Sequence, residues 1–309
     1  MTSAERAGAD ALRELRFALA ESEAEAPPRG LRDRMLDRAR EHRPPGRPTS
    51  PPAQISGVEV FRRITAAFNE LVTGLAPDEW ARPTLRDLDV QGLVGHLIGV
   101  ETHFRGGLEE AGSDPGPGQH VAATDPFARA QGGRPAGATQ AEWSHAAALS
   151  LAAAEGADPG AAVTWFGITL PLDLLLVVRA FEIWIHDGDI RRATGRPPTD
   201  PDAESLARMT ALAVGLLPTG VALAGRARPG RAVRLVLTGP GGGTWDVGLD
   251  PAGAADPLPP AAARVVVDGS AFCRVVGNRT DRVGSGGLVS GDEGLADDLF
   301  AAAAALALD

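Results

Sequence analysis

The sequence of 309 residues contains no lysine and no tyrosine, and its single cysteine is Cys273. Without lysine, the chain can form neither a Schiff base nor the lysine contact of a phosphate-binding P-loop. One cysteine excludes an internal disulfide framework and is typical of a reducing compartment, so we expect a cytoplasmic location. Cys273 lies in the segment SAFCRVV, which favours a packed small hydrophobic residue over a nucleophile.

Long apolar runs are also scarce, and acidic residues outnumber basic ones by 40 to 30. Apolar runs such as Leu174–Val178 are far shorter than the roughly 20 residues that span a bilayer. The N-terminus has no apolar segment of a signal peptide, so we expect no membrane partner. The net charge is −10, whereas phosphate contacts need a basic face, so nucleic-acid binding is not expected. The remaining default class is an enzyme with a small-molecule substrate.

The chain divides into three predicted parts. Residues 1–55 are expected to form two charged helices, at 4–25 and 29–42, followed by a stiff linker at 43–55 that contains five prolines. Residues 56–220 form a predicted helical domain, with helices at 57–75, 87–110, 139–156, 171–195 and 201–217. A long loop rich in glycine and proline is expected at 111–137. Residues 228–309 are predicted to be a small α+β domain, with strands at 231–238, 244–249 and 264–268 and helices at 270–277 and 292–307.

The helix predicted at 171–195 carries a narrow polar stripe on an otherwise apolar surface. At about 100° per residue, Arg179, Glu182, His186 and Asp189 fall within a sector of about 100°. A helix that is apolar on nearly all sides is buried, so we expect the stripe to be buried as well. Burying carboxylates and an imidazole is costly unless they pair with each other or bind a metal.

Three residues of the helical domain suit a metal site. Glu182 and His186 are four residues apart, one helical turn on the same face, so both can reach one ion. His96 has apolar neighbours in VQGLVGHLIGV and offers a third ligand from the core. Nitrogen and oxygen donors together suit a divalent ion such as zinc. Two histidines and one carboxylate leave coordination positions open, which is typical of catalytic sites.

The same stripe also fits a site without a metal. Arg179, Glu182 and Asp189 could form a buried salt-bridge network, and His186 could be a core histidine satisfied by hydrogen bonds. The remaining histidines are expected at the surface; they are His42, His103, His120 and His145.

Several stretches of the sequence resemble the mycothiol-dependent maleylpyruvate isomerase family of the DinB-like superfamily. The stretch WARPTLRDLDVQGLVGHLIGVE resembles the second helix of that family, and VRAFEIWIHDGDIRRATGRP resembles its signature E-x-x-x-H-x-x-D-I-R-x-A-x-G-x-P. TWDV, VVVDGSAFCRVVGNR and GDEGLADDL resemble its C-terminal domain, so the resemblance covers roughly 57–307. The sequence departs from the family at Leu88-Asp89-Val90, where a tryptophan is expected.

The resemblance implies a mainly α fold, with a DinB-like four-helix bundle followed by a small α+β C-terminal domain. It implies a divalent metal held by His96, Glu182 and His186, and mycothiol or a similar thiol as cosubstrate. The implied activity is that of an isomerase or S-transferase acting on a small electrophilic, anionic substrate. In such a reaction we expect Asp189 to orient a ligating imidazole. We expect Arg179, or an arginine of the C-terminal domain, to bind the substrate or the polar body of the thiol.

Residues 1–55 have no counterpart in that family. The segment PPRGLRDRMLDRAREHRPP instead resembles a region of bacterial anti-sigma factors, although the histidine and cysteines of their zinc-binding part are missing. This leaves an alternative, a non-catalytic regulatory or binding protein on the same fold, with a protein partner at the N-terminal extension. Metal content, together with an open coordination position, separates the two hypotheses.

Overall fold

The computed structural model describes residues 53–109, 114–251 and 258–307. The helices predicted at 4–25 and 29–42 lie outside these residues, as do most of the predicted linker at 43–55 and the start of the predicted loop at 111–137.

The described residues between 53 and 223 are mostly helical; they are called the first half below. In chain order they are α1 (Gly57–Thr73), α2 (Val90–Glu109), α3 (His120–Arg129), α4 (Ala136–Glu155), α5 (Leu172–Thr194) and α6 (Ala203–Leu223). A short 3₁₀ helix spans Pro77–Ala81, and a hairpin of β1 (Ala162–Trp165) and β2 (Ile168–Pro171) precedes α5. The five predicted helices are confirmed, with ends that shift by a few residues. The prediction of a continuous loop at 111–137 is wrong, because α3 lies within it.

Local sequence fixes the ends of the two helices that frame the bundle. Ser56 caps α1, because its hydroxyl accepts a hydrogen bond from the Glu59 N–H at 3.2 Å. α5 ends at Gly195, whose φ of 69° is left-handed, a conformation that glycine adopts with little cost. Arg191 and Arg192 lie in the last turn of α5, where positive charge interacts favourably with the helix dipole.

The helices pack around one apolar core. α1 packs along α5, while α2 packs against α3 and α4 and also contacts α5. The interior side chains are large and almost fully buried, and they include Phe61, Phe68, Leu97, Trp143 and Leu176. Because α2 and α5 touch through this core, polar residues on their inner faces are brought together out of contact with water.

The second described half is a four-stranded sheet with helices packed against it. Its elements are β3 (Ala232–Thr238), β4 (Gly243–Gly248), β5 (Ala263–Asp268), α7 (Gly269–Val276), β6 (Leu288–Gly291) and α8 (Glu293–Ala304). The strand order is β4-β3-β5-β6, in which β3 and β5 are parallel and the other pairs are antiparallel. The predicted strands and helices are confirmed, and β6 was not predicted. The mainly α fold with a small α+β part is therefore confirmed.

α6 joins the two halves. Its length and composition alone would suffice to cross a bilayer. It packs against α5, α7 and α8, and Leu206, Met209, Leu217 and Val221 are buried in these contacts. This core position explains the apolar composition of α6, and the absence of a membrane partner stays a prediction.

Cys273 lies inside α7 and has no exposed surface, as expected of a packed small hydrophobic residue. Burial raises the pKa of its thiol far above the ordinary value, so the thiol stays protonated at neutral pH. We therefore expect the native protein to resist alkylation by iodoacetamide and to react with one equivalent once unfolded in urea. Mass spectrometry of both samples measures this, and rapid modification of the native chain would contradict the packing of α7.

The N-terminal extension is expected to be separable from the fold. The chain contacts divide at Pro51/Pro52, and Ile55 already packs against the helical core. We predict that deleting residues 1–50 leaves the melting temperature and the metal content unchanged. Differential scanning calorimetry and elemental analysis of the two chains test this. A large fall in melting temperature would instead make the extension part of the fold.

Candidate metal centre

His96 of α2 and Glu182 and His186 of α5 converge inside the helical core. Each offers one possible ligand atom, and these atoms all lie within 4.8 Å of one another. The imidazole rings of His96 and His186 are 5.3 Å apart between centroids. Both histidines are buried, and the Glu182 side chain is only 9% exposed. The predicted convergence of these three side chains is confirmed, and their binding of an ion stays a prediction.

Four side-chain atoms at this point lack a hydrogen bond with any described group: His96 Nε2, both ring nitrogens of His120, and Glu182 Oε1. Glu182 Oε1 lies 3.4 Å from His96 Nε2 and 3.0 Å from His120 Nε2. The carboxylate and the two rings are thus within ion-pair distance, but no hydrogen bond forms between them. Buried polar atoms without partners are unfavourable. A divalent cation would satisfy imidazole nitrogens and a carboxylate oxygen together, so the residues present fit such an ion.

His96 and His186 each form a hydrogen bond through Nδ1, which leaves both Nε2 atoms free. The Thr124 hydroxyl donates to the His120 carbonyl at 2.7 Å and lies 2.7 Å from His96 Nδ1. Since its proton is used at the carbonyl, this hydroxyl accepts the Nδ1–H of His96. His186 Nδ1 lies 3.0 Å from the carboxylate of Asp189 and donates to it. This arrangement leaves the Nε2 lone pairs of His96 and His186 available for an ion.

The charge states of His96 and Glu182 suit metal binding. Burial lowers the pKa of His96 to about 4, although Glu182 opposes this shift. Burial also disfavours ionisation of Glu182, but the adjacent Arg179 and His120 hold the pKa of its carboxyl well below the ordinary value. A neutral imidazole and an ionised carboxylate are the ligating forms of these groups.

Arg179 holds the second oxygen of Glu182 in place. This arginine is fully buried, donates to Glu182 Oε2, and donates to Glu101 Oε1 at 2.6 Å. Its guanidinium also lies 5.1 Å from the centroid of the Trp165 ring. Of the network expected among Arg179, Glu182 and Asp189, the pair of Arg179 and Glu182 is present. Asp189 instead pairs with Arg192 and Arg279. The expected role of Arg179 in binding substrate stays a prediction.

Asp189 is held by the C-terminal half. Arg279, which follows α7, donates to both carboxylate oxygens of Asp189, with two distances of 2.8 Å. Burial disfavours the charged carboxylate, but hydrogen bonds from His186 and Arg279 lower the pKa of Asp189. Asp189 therefore stays ionised and is placed to orient His186, as its predicted role requires.

His120 is the site residue that the sequence analysis missed. The prediction that it lies at the surface is wrong, because it begins α3 and is only 4% exposed. Its ring centroid is 5.1 Å from that of His96 and 4.8 Å from that of Phe166. His145 is exposed as expected, His103 is half-buried, and His42 lies outside the described residues.

A largely apolar cavity of about 80 Å³ borders the cluster. Glu182 and His186 form its polar end. The other lining residues come from α5, α6 and the C-terminal half, and they are Val178, Phe181, Ile185, Leu212, Ala213, Leu216, Val276, Gly277, Leu306 and Ala307. The donor cluster therefore opens onto a space that suits the apolar part of a small molecule.

Comparison with known proteins finds a matching family model over less than half of the chain. Residues 61–191 match the sequence model described as the mycothiol maleylpyruvate isomerase N-terminal domain. The fold is similar to a crystal structure of a mycothiol-dependent maleylpyruvate isomerase, with a TM-score of 0.54 and 16% identity over 76% of this chain and 92% of that one. It is also similar to a histidine-to-alanine mutant of such an enzyme, with a TM-score of 0.51 and 15% identity over 77% and 92% of the two chains. At these identities the structures show a shared fold. No functionally curated protein matches the chain.

Proposed function

We propose that the chain is a thiol-dependent isomerase or S-transferase, because residues 61–191 match the model of the mycothiol maleylpyruvate isomerase N-terminal domain. The thiol is of the mycothiol type, a divalent metal is required, and the substrate is a small electrophilic anion. One observation carries this proposal: two imidazoles and a carboxylate converge in a buried cluster that opens onto an apolar cavity.

Zinc is the metal that we propose for this site. His96 Nε2, Glu182 and His186 Nε2 would hold it, which leaves room for one further ligand in the catalytic pattern. When bound, the ion supplies Lewis acidity, which lowers the pKa of a coordinated thiol.

The surrounding residues hold the three donor groups in orientation before any ligand arrives. Arg179 and Glu101 fix the carboxylate of Glu182, while Asp189 and Arg279 fix the ring of His186. Such supporting hydrogen bonds keep ligands in the correct tautomer and direction. Arg179 therefore acts on Glu182, and an anionic part of the substrate needs another partner.

His120 is placed to accept the proton of the thiol. Its Nε2 lies 3.0 Å from the ionised Glu182 Oε1 and would carry the ring hydrogen. The atom that would take the proton is therefore Nδ1, which has no hydrogen-bond partner among the described residues. A histidine within hydrogen-bond reach of a reacting group can act as a general base. Its edge contacts with Trp165 and Phe166 keep water away from that proton.

The cavity beside Glu182 and His186 determines which part of the electrophile lies next to the sulfur. Its apolar walls favour an unsaturated carbon skeleton. In an isomerisation, the sulfur forms a bond to one carbon of an activated double bond, and the π electrons move into the conjugated carbonyl. Rotation follows about the carbon–carbon bond that has become single. The carbon–sulfur bond then breaks, the double bond returns, and the thiol is regenerated.

Elemental analysis combined with a thiol assay tests the proposal. The wild type is expected to contain about one zinc per chain and to consume maleylpyruvate, or neutral monochlorobimane, only when mycothiol is present. Glu182→Ala should lose both properties. Glu155→Ala, which removes an exposed carboxylate paired with Arg62, should keep them.

The alternative of a regulatory or binding protein predicts a different result. If wild type and Glu182→Ala show the same rates with every thiol and electrophile, and no thiol binds, the enzymatic proposal fails and only the shared fold remains. Comparing maleylpyruvate with monochlorobimane also decides whether the substrate must be anionic.

A further inference from the structure

An unpaired guanidinium lies near His96. All three side-chain nitrogens of Arg86 are buried, and none has a hydrogen-bond partner in the part of the chain that the structure describes. By contrast, Arg179, which is fully buried, contacts two carboxylates. Arginine cannot lose its proton in a protein. A guanidinium whose nitrogens are buried without any hydrogen-bond acceptor is unfavourable. Arg86 would therefore be stabilised by a bound anion.

Arg86 belongs to a strained turn immediately before α2. Arg86 and Asp87 both have left-handed φ angles, 52° and 60°, a conformation that is unfavourable for residues other than glycine. Two backbone hydrogen bonds close the turn: the Leu88 N–H donates to the Leu85 carbonyl at 2.9 Å, and the Thr84 N–H donates to the Leu88 carbonyl at 2.8 Å. The fold therefore keeps the Arg86 nitrogens buried in spite of the backbone strain.

The Arg86 side chain lines a small pocket of about 40 Å³. The other lining residues are Leu88, His96, Val121, Thr124, Asp125 and Ala128. One water molecule needs about 10–15 Å³ of such space, so the pocket has room for a group the size of a carboxylate. Asp125 already forms an ion pair with Arg129. This exposed pair offsets only part of the negative charge that Asp125 contributes to the pocket, and a bound anion would have to compete with it. The apolar walls suit the methyl or methylene part of a small acid.

The pocket lies on the Thr124 side of His96. Thr124 accepts the Nδ1–H of His96. An anion in the pocket would therefore lie near this Nδ1–H, on the side of the ring opposite the ligating Nε2. Negative charge near that proton makes the other ring nitrogen a stronger metal ligand. We propose that Arg86 binds a small carboxylate in this pocket and that the bound carboxylate strengthens metal binding at His96. Because coupling between two binding sites is reciprocal, the metal would strengthen carboxylate binding by the same factor.

Acetate binding to the metal-free full-length chain tests the first half of this proposal. Thermal unfolding is followed while sodium acetate replaces sodium chloride at constant ionic strength. We expect a saturable rise in melting temperature for the wild type and none for Arg86→Gln or Arg86→Met. Without acetate, these two variants should melt at the wild-type temperature or above it, because an unpaired buried charge has been removed. Arg82→Gln, which alters an exposed arginine near Asp78, should respond like the wild type.

Zinc titration calorimetry tests the second half. In acetate, zinc affinity is expected to rise at least about 5-fold for the wild type relative to chloride, and to stay constant for Arg86→Gln. The proposal is overturned if the wild type shows no saturable response to acetate, if Arg86→Gln responds equally, or if zinc affinity is the same in both salts.

Maleate replaces acetate in a parallel series. A response to maleate alone would assign Arg86 to the carboxylate of a larger molecule and reject the small ligand. None of these measurements needs a thiol or an electrophile, so they stand apart from the test of the proposed reaction.

Discussion

Replacing His186 with alanine is expected to abolish stoichiometric zinc binding, whereas replacing Asp189 with asparagine should weaken it by about 10–100-fold. The difference follows from where each residue acts. His186 offers a donor atom to the cluster, and Asp189 only orients that donor through a 3.0 Å hydrogen bond. Competition with a fluorescent zinc chelator measures both affinities.

Two further histidine variants sharpen this comparison. His145→Ala removes an exposed imidazole and should leave zinc affinity unchanged. His120→Ala removes a ring that contacts Glu182 and His96, and we expect zinc binding to survive while the thiol reaction is lost. If His186→Ala still bound zinc with the wild-type affinity, the assignment of the three ligands would be wrong.

Loss of Glu101 is expected to have the largest effect on stability. Glu101 and Arg179 are both fully buried and form an ion pair at 2.6 Å. Without Glu101, the buried Arg179 keeps only one carboxylate partner among the described residues, Glu182, and breaking a buried ion pair costs about 3–5 kcal/mol. Glu101→Ala should therefore lower the melting temperature by roughly 10 °C.

A matched exposed pair is the control for this effect. Glu155 pairs with Arg62 at 2.9 Å, and both side chains are nearly half exposed. Exposed pairs contribute about 0–1 kcal/mol, so Glu155→Ala should melt close to the wild-type temperature. Equal and small changes for both variants would mean that the Glu101–Arg179 pair contributes little to the fold.

The sequence was sufficient to predict the parts of the site that lie on one strongly patterned helix. Glu182 and His186 are one turn apart on α5, and the apolar residues around them indicated burial. His96 could be chosen because apolar residues flank it in α2. Each of these inferences needs only the helical period and the cost of burying a polar group.

The residues that the sequence analysis missed depend on contacts between distant segments. His120 lies in a stretch rich in glycine and proline, whose composition hides the ten residues of α3. Glu101 has no local sign of burial, because its partner Arg179 is on another helix, 78 positions away. The strand β6 has only four residues and a mostly exposed pattern, so it lacks the alternation that identifies longer strands.

The contact between Arg279 and Asp189 has a consequence for the order in which the site matures during synthesis. His96, Glu182 and His186 leave the ribosome well before Arg279, which follows Asp189 by 90 residues. Domains generally fold from the N-terminus as the chain emerges. A nascent helical half can therefore gather all three donor atoms while the imidazole of His186 still lacks its final support. A zinc ion captured at that stage would be held loosely and could exchange. Tight retention would begin only when the last part of the chain has folded and Arg279 has reached Asp189.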